Sequence, residues 1–275
     1  KGLSIESPRL GFGYMKIEKL ASLVDKYMQN LPHDLTCVYM ANDALKAYCD
    51  YHDSIGFSSD QYARIKEMHS KINNYCHPIK STTEYGGVKK ILLSELDYDV
   101  NEIEKLFRTR HSIREFEKKS VSMEKIKKAI ALAQYAPSAC NRQAVRVYAV
   151  SSKKYVQDSN TSLEGIGGFT DDVDQFLLIT GKLSSYDEFE YNQFIVNAGI
   201  FAGYLSLALH AYQIGACIIQ RSVRISKQWT QFCKINSIPE DEQIVCMIGI
   251  GSMKESTTVP ISYRYPLDEI FSVLT

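Results

Sequence analysis

The stretch Arg110-His111-Ser112-Ile113-Arg114-Glu115-Phe116 crowds two arginines, a histidine and a hydroxyl into five residues, just after a helix-like pattern. Such a cluster suits a doubly charged phosphate. Guanidinium groups donate forked hydrogen bonds, and the serine supplies another donor. A phosphate monoester carries close to two negative charges at neutral pH, and each charged hydrogen bond contributes on the order of 1.5–3 kcal/mol. On charge alone the alternative is a solvated basic linker, because cations also suit the C-terminal end of a helix dipole. A second stretch, Ala136-Pro137-Ser138-Ala139-Cys140-Asn141-Arg142-Gln143, breaks a helix at proline and then presents small and amide residues. Each amide offers both donor and acceptor. Standing alone, this second stretch reads as an ordinary helix-ending loop.

Outward from these stretches the pattern is mixed. Asp99 followed by Glu102 reads as a capped helix start, with Val100, Ile103, Leu106 and Phe107 as the apolar face. Ser122 is the expected cap of another helix through Ile126, Ala129, Ile130 and Ala133, ended by Pro137. Residues 145–150, 176–180, 217–220 and 244–250 read as strands, and residues 194–219 as a long apolar helix running into a short strand. A small helix begun by Ser226 carries Trp229 and Phe232. The order helix, helix, strand, strand, helix, strand, helix, strand is an α+β pattern rather than regular βαβ alternation. Gly249-Ile250-Gly251 lacks the following helix that a dinucleotide fingerprint requires.

Before Asp97 the chain is helical and tyrosine-rich. Ile17, Leu20, Val24, Tyr27, Met28 and Leu31 follow helical spacing up to Pro32. Val38, Ala41, Leu45, Tyr48 and His52 form a second stripe closed by Gly56, and residues 61–75 a weaker third, before Pro78 and Gly86-Gly87 mark a loop. Two domains are expected: a helical N-terminal extension over residues 1–97, and a second unit over 98–275.

The bulk properties of the 275 residues exclude several classes. Lys plus Arg (32) balances Asp plus Glu (32), so no overall field draws the chain to nucleic acid or an anionic membrane. The seven cysteines are scattered without Cys-x-x-Cys spacing, which reads as reduced thiols in a cytoplasmic protein and not as a disulfide framework or zinc site. His69 with Cys76-His77 lacks ligand spacing, as Cys140 lacks a paired base, so structural roles are expected for them. Residues 194–219 contain no Lys, Arg, Asp or Glu and are long enough to span a bilayer, yet Asn197, His210 and Gln213 interrupt them. A helix buried on most sides is the expectation, and no membrane partner.

Taken in this order, with one helix between them, the two leading stretches resemble the flavin-binding signature of the nitroreductase family. Arg110, Ser112 and Arg114 occupy the positions of its Arg-x-Ser-x-Arg element. The resemblance implies that Arg110 and Ser112 face the phosphate of FMN and Arg114 the ribityl chain or the pyrimidine edge, with His111 where arginine often stands. Pro137, Ser138, Ala139, Asn141 and Gln143 resemble the family's Pro-Ser-x-x-Asn-x-Gln, which contributes to the isoalloxazine pocket partly from the neighbouring subunit. Ala144-Val145 replaces the usual Pro-Trp. Gln220 and Arg221 match the segment beside flavin N5, and Arg264 the last phosphate-binding basic residue. Asn160 and the loop at 165–168 are weaker candidates for cofactor contact.

The resemblance covers residues 98–275 and implies a central antiparallel sheet flanked by helices, in a homodimer with two flavin sites at the interface. It implies an FMN-dependent oxidoreductase passing hydride from NAD(P)H to an electron-poor small-molecule acceptor, with no dedicated protein acid or base. Residues 1–97 would then cover the pocket or enlarge the dimer. Two alternatives stay open: an FMN-dependent oxidase or desaturase of a biosynthetic intermediate, and a non-catalytic interaction protein keeping the fold.

Overall fold

A computed structural model describes residues 2–30, 34–76, 83–159, 169, 172–220 and 227–274. The chain divides into two compact units, Lys1–Tyr98 and Asp99–Thr275. In the first, helices α1 (Tyr14–Gln29), α2 (Thr36–Ser54) and α3 (Asp60–Cys76) pack pairwise around Ala21, Leu45, Tyr48, Ile65 and Ile72. Leu45 and Tyr48 fall on the second stripe read from the sequence and Ile65 and Ile72 within the third, because a helix shows one face every three or four residues. Ala21 stands outside the first stripe, whereas Tyr27, which belongs to it, is exposed. His52 is fully buried here. Its Nδ1 donates to the Tyr48 carbonyl at 2.8 Å while its Nε2 accepts the Gly11 N–H at 3.3 Å, which fixes the tautomer. His69 sits on α3, where burial pushes its pKa down, and Cys76 joins the core. Pro32, His77 and Pro78 lie outside the described residues.

The second unit runs α4 (Val100–Thr109), α5 (Met123–Ala133), β1 (Val145–Ser151), α6 (Ser152–Ser159), β2 (Gln175–Lys182), α7 (Gln193–Ala211), β3 (Ile214–Ile219), α8 (Lys227–Ile235) and β4 (Glu242–Ser252). The four strands form one antiparallel sheet in the order β1-β2-β4-β3, with a bulge where β4 skips Val245 opposite Ile179 and Thr180. Alternation along β2 sends Leu177 and Ile179 to one face and Phe176 and Leu178 to the other. The first face is covered by Ile126 and Ala129 of α5 and by Phe201, Leu205 and Leu209 of α7. The second is covered by Tyr155 of α6 and Trp229 and Phe232 of α8. This is the α+β sandwich expected. Its central strands carry long apolar runs because both faces are dry.

Several local expectations need correction. Helix α6 was not read from the sequence, since Ser152-Lys153-Lys154-Tyr155-Val156 carries little apolar periodicity and Tyr155 alone anchors it in the core. Ser122 stands at the N-cap of α5 but makes no capping hydrogen bond. The entry is held instead by Asp174, whose carboxylate accepts the Val121 N–H at 2.8 Å. Strand β3 begins at Ile214, three residues earlier than read, and Gln220 lies just past its end. Ser226, the proposed start of α8, is outside the described residues. Helix α7 is long and apolar enough to cross a membrane, yet it packs on the sheet through Phe201, Leu205 and Leu209. It is not buried on most sides: Val196 (51%), Ile200 (37%) and Tyr204 (45%) remain exposed on one face, together with Gly199 and Gly203.

Between the sheet and α8, Glu242 is buried and accepts hydrogen bonds from Tyr148 Oη at 2.9 Å and Thr180 Oγ1 at 2.6 Å. Burial first, and this bond second, push the Tyr148 pKa up to about 12. A tyrosine whose folded pKa lies above its unfolded value favours the folded state below about pH 10, and that contribution is lost as pH rises towards 12. Replacing Glu242 by alanine strands two donors and is expected to cost about 2–4 kcal/mol in urea unfolding at pH 8. The alkaline limb of the stability profile should also move in the same variant, read by tyrosinate absorbance.

Candidate functional site

The Arg110–Phe116 stretch follows α4, whose first turn is capped by Asp99 accepting the Asn101 N–H at 2.9 Å. It is then pinned to the edge of the sheet. Ile113 N–H donates to the Ala216 carbonyl of β3 at 2.9 Å, and Glu117 bridges to Ser252 of β4. Phe116 is buried over a glycine pair that face each other across the strands, Gly215 and Gly251. A Cβ on Gly251 would stand 2.5 Å from Phe116 Cγ, and one on Gly215 would stand 2.9 Å from Phe116 Cε1. Gly215 of β3 and Gly251 of β4 therefore form a slot for an aromatic ring, and the ring locks the basic stretch in place.

With Ile113 and Phe116 turned into the core, Arg110, His111 and Ser112 line a cavity of about 320 Å3, closed by Ser206 and His210 of α7 and by Ile214, Ala216 and Ile218 of β3. Among the described residues, no carboxylate lines it. His210 was not read as a site residue; with Ser206 it stands one helical turn apart on the α7 face that meets this cavity, a pairing that the apolar run around it masks. Burial, then the charges of Arg110 and His111, hold the His210 pKa below the ordinary imidazole value. Ser206 spends its proton on the Gly203 carbonyl at 2.8 Å. Arg114 is exposed and does not line the cavity. Its charge, with a hydrogen bond from Ser112, pulls down the pKa of the Cys217 thiol, which burial pushes up more strongly.

The Pro137–Gln143 stretch lies elsewhere. Ala139–Asn141 forms a tight turn in which Cys140 (φ 52°), Asn141 (φ 54°) and Gln143 (φ 49°) occupy the left-handed region. Such backbone costs on the order of 1 kcal/mol or more per non-glycine residue and persists only where its surroundings enforce it. Here Ser138 Oγ accepts the Gln143 N–H at 3.1 Å, and Asn197 of α7 accepts the Ala139 N–H at 3.3 Å. Arg142 adds a clamp, donating to both oxygens of Glu190 at 2.8 and 2.7 Å with its guanidinium 5.4 Å from the Tyr186 ring. Arg142 holds the Glu190 carboxyl below its ordinary range, so the clamp is complete above pH 4.5 and loosens as pH falls further. Pro137, Asn141 and Gln143 are exposed, and Ser138 and Ala139 half-buried. The departure from Pro-Trp falls on buried Ala144 and on Val145, which opens β1.

Within one chain, then, the two stretches do not meet. One is tied to Asn197 near the start of α7 and the other to Ser206 and His210 near its end, roughly 20 Å apart along a helix rising 1.5 Å per residue. Arg264 is not brought to the cavity either. It is exposed and donates to the neighbouring Ser262 and Tyr263 carbonyls at 2.8 and 3.3 Å. The tail around it has no core to join: Ile261, Tyr263, Tyr265, Leu267 and Phe271 are all exposed. Gln220 is exposed at the end of β3. Arg221, Asn160 and the loop at 165–168 lie outside the described residues.

Comparison with known proteins bears on the same unit. The chain resembles the solved nitroreductase family protein of Streptococcus pneumoniae TIGR4 at 21% identity, with a TM-score of 0.51 over 62% of this chain and 100% of that one. It also resembles a candidate nitroreductase from Desulfovibrio desulfuricans in complex with FMN, at 20% identity and a TM-score of 0.52 over 63% and 96% of the two chains. A nitroreductase-like protein from Streptococcus mutans aligns at 16% identity, with a TM-score of 0.53 over 64% and 100%. At these identities the likeness establishes the fold. No curated protein matches the chain. The model of the Nitroreductase family matches residues 107–164 and 157–252, which together make up more than half of the 275 residues and include both leading stretches. The sandwich, its basic cavity and this match agree: the chain belongs to the nitroreductase family of oxidoreductases.

Proposed function

We propose that the protein is an FMN-dependent oxidoreductase that takes hydride from NAD(P)H and passes electrons to an electron-poor small molecule. The observation that carries this reading is the cavity at Arg110, His111, Ser112 and His210, which gathers cationic and hydroxyl groups with no carboxylate among the described residues. That donor set fits a phosphate monoester, and one of the structures resembling this chain holds FMN. When bound, FMN supplies hydride-accepting and hydride-donating chemistry that side chains lack. Arg110 and Ser112 would grip the phosphate, with His111 beside them. The strained turn at Ala139–Asn141 would present backbone and amide groups of Asn141 and Gln143 to the ring.

Because the two stretches sit at opposite ends of α7, one complete site needs two chains. A two-fold axis through the exposed face of α7 would set the partner's helix antiparallel, bringing its Asn197 end against the His210 end of the first. Gly199 and Gly203 leave that face open, since a Cβ on either meets nothing within 4 Å. Val100, Ile103 and Phe107 of α4 and the apolar C-terminal tail are also exposed, which is more uncovered apolar surface than a monomer ordinarily carries. A homodimer with a flavin at each end of the α7 pair accounts for all three. The seven unpaired cysteines, four of them buried, suit a reducing cytoplasmic setting.

The test is optical. The purified full chain should be yellow, with one FMN per chain released on denaturation, and NADH or NADPH should bleach it rapidly without oxygen. A flavin that stays oxidised under both donors would reject the NAD(P)H half of the proposal. A colourless chain that fails to take up added FMN would reject the whole.

A further inference from the structure

Thr109, the last residue of α4, has one hydroxyl proton, and it goes to the Lys105 carbonyl at 2.8 Å. Its oxygen nevertheless stands 2.9 Å from His210 Nε2. With the Thr109 proton already committed, Nε2 must be the donor of that bond. In its neutral form the imidazole therefore carries its proton on Nε2, which leaves Nδ1 as the lone-pair nitrogen, with no hydrogen bond among the described residues. The groups facing this ring are Arg110 and His111 from the linker after α4, Ser206 from its own helix, and the apolar Ile214, Ala216 and Ile218 of β3. Without an anion, a proton on Nδ1 would add a second positive charge beside Arg110 in a part-buried cluster. With a phosphate dianion in the cavity, the same proton would face an opposite charge.

We propose that His210 is a further phosphate-binding residue, one that takes up a proton on Nδ1 when the phosphate of FMN enters and so ties cofactor retention to pH. The proposal rests on the FMN reading above. The lowered pKa of His210, set by burial and by Arg110 and His111, agrees with it, because the neutral ring is the form that the dianion converts. The sign is diagnostic. A free phosphate monoester with a second pKa near 6 holds a little proton at pH 7 and would release it on meeting cations, whereas His210 takes one up.

Titration calorimetry of the flavin-free full chain, in two buffers of different ionisation enthalpy at pH 7, measures this proton directly. FMN should bind with net proton uptake, and riboflavin, lacking the phosphate, with none. His210→Gln should abolish the uptake, while His111→Gln should keep it. Between pH 6.5 and 8, FMN affinity should fall about three- to fivefold more in the native chain than in His210→Gln, the part of the roughly tenfold change from a one-unit pKa shift that falls within this window. His210→Asn serves as a second neutral variant if the first misfolds by circular dichroism. Unchanged uptake in these variants, or its loss in His111→Gln alone, overturns the assignment to His210 while leaving the FMN site standing. If FMN binds no tighter than riboflavin and ignores Arg110→Ala, the phosphate is not in this cavity and both readings fall.

Discussion

Arg110→Ala should weaken FMN binding about 10- to 100-fold while leaving riboflavin binding within a factor of two. The difference isolates the phosphate. Arg110 lines the cavity with no neutralising carboxylate among the described residues, so its guanidinium can make charge-assisted bonds to an anion. Removing one or two such bonds costs about 1.5–3 kcal/mol, which sets the range of the effect. Folding should be unaffected, because the stretch is anchored by Ile113 and Phe116 and by the Ala216 hydrogen bond, none of which involves the Arg110 side chain. Fluorescence titration with the two flavins is sufficient. An equal loss for both would place Arg110 away from the phosphate.

Ile200→Lys in α7 should leave the proposed dimer as single chains of 31.2 kDa and release FMN in the same step. In the single chain Ile200 is 37% exposed, so a lysine there reaches water without disturbing the core. Against a partner helix it would bury an unpaired charge, costing several kcal/mol and raising the dimer dissociation constant about 100-fold or more. Gly203→Leu provides an independent check: its side chain has room in the chain itself but fills the gap where a second helix would approach. Sedimentation and flavin absorbance, followed together, test the shared site. A variant that becomes monomeric yet keeps its FMN would show that one chain completes the site alone.

The exposed face of α7 also shows why part of the structure escaped the sequence. Periodicity reports that residues are apolar, not what covers them; Val196, Ile200 and Tyr204 look like core residues until the sheet is seen to occupy the other side of the helix. Helix α6 escaped for the opposite reason, since one buried aromatic among lysines and serines makes no stripe. His210 lay hidden in an apolar run, and Arg142, passed over between Asn141 and Gln143, turned out to clamp the turn through Glu190.

By itself the sequence determined the secondary elements with strong periodicity, the α+β order, the division near residue 98, and the two short motifs whose spacing marks the family. Those are local properties: side-chain period, capping and turn chemistry act within a few residues. Only the tertiary structure decided that Gly215 and Gly251 seat Phe116, and that His210 joins Arg110 in one cavity. It alone set the two motifs at opposite ends of one helix and left Arg264 outside the cavity. These depend on contacts between residues about a hundred positions apart or more, as between Thr109 and His210 or Phe116 and Gly251, and no local pattern encodes which distant segment comes to fill a given space.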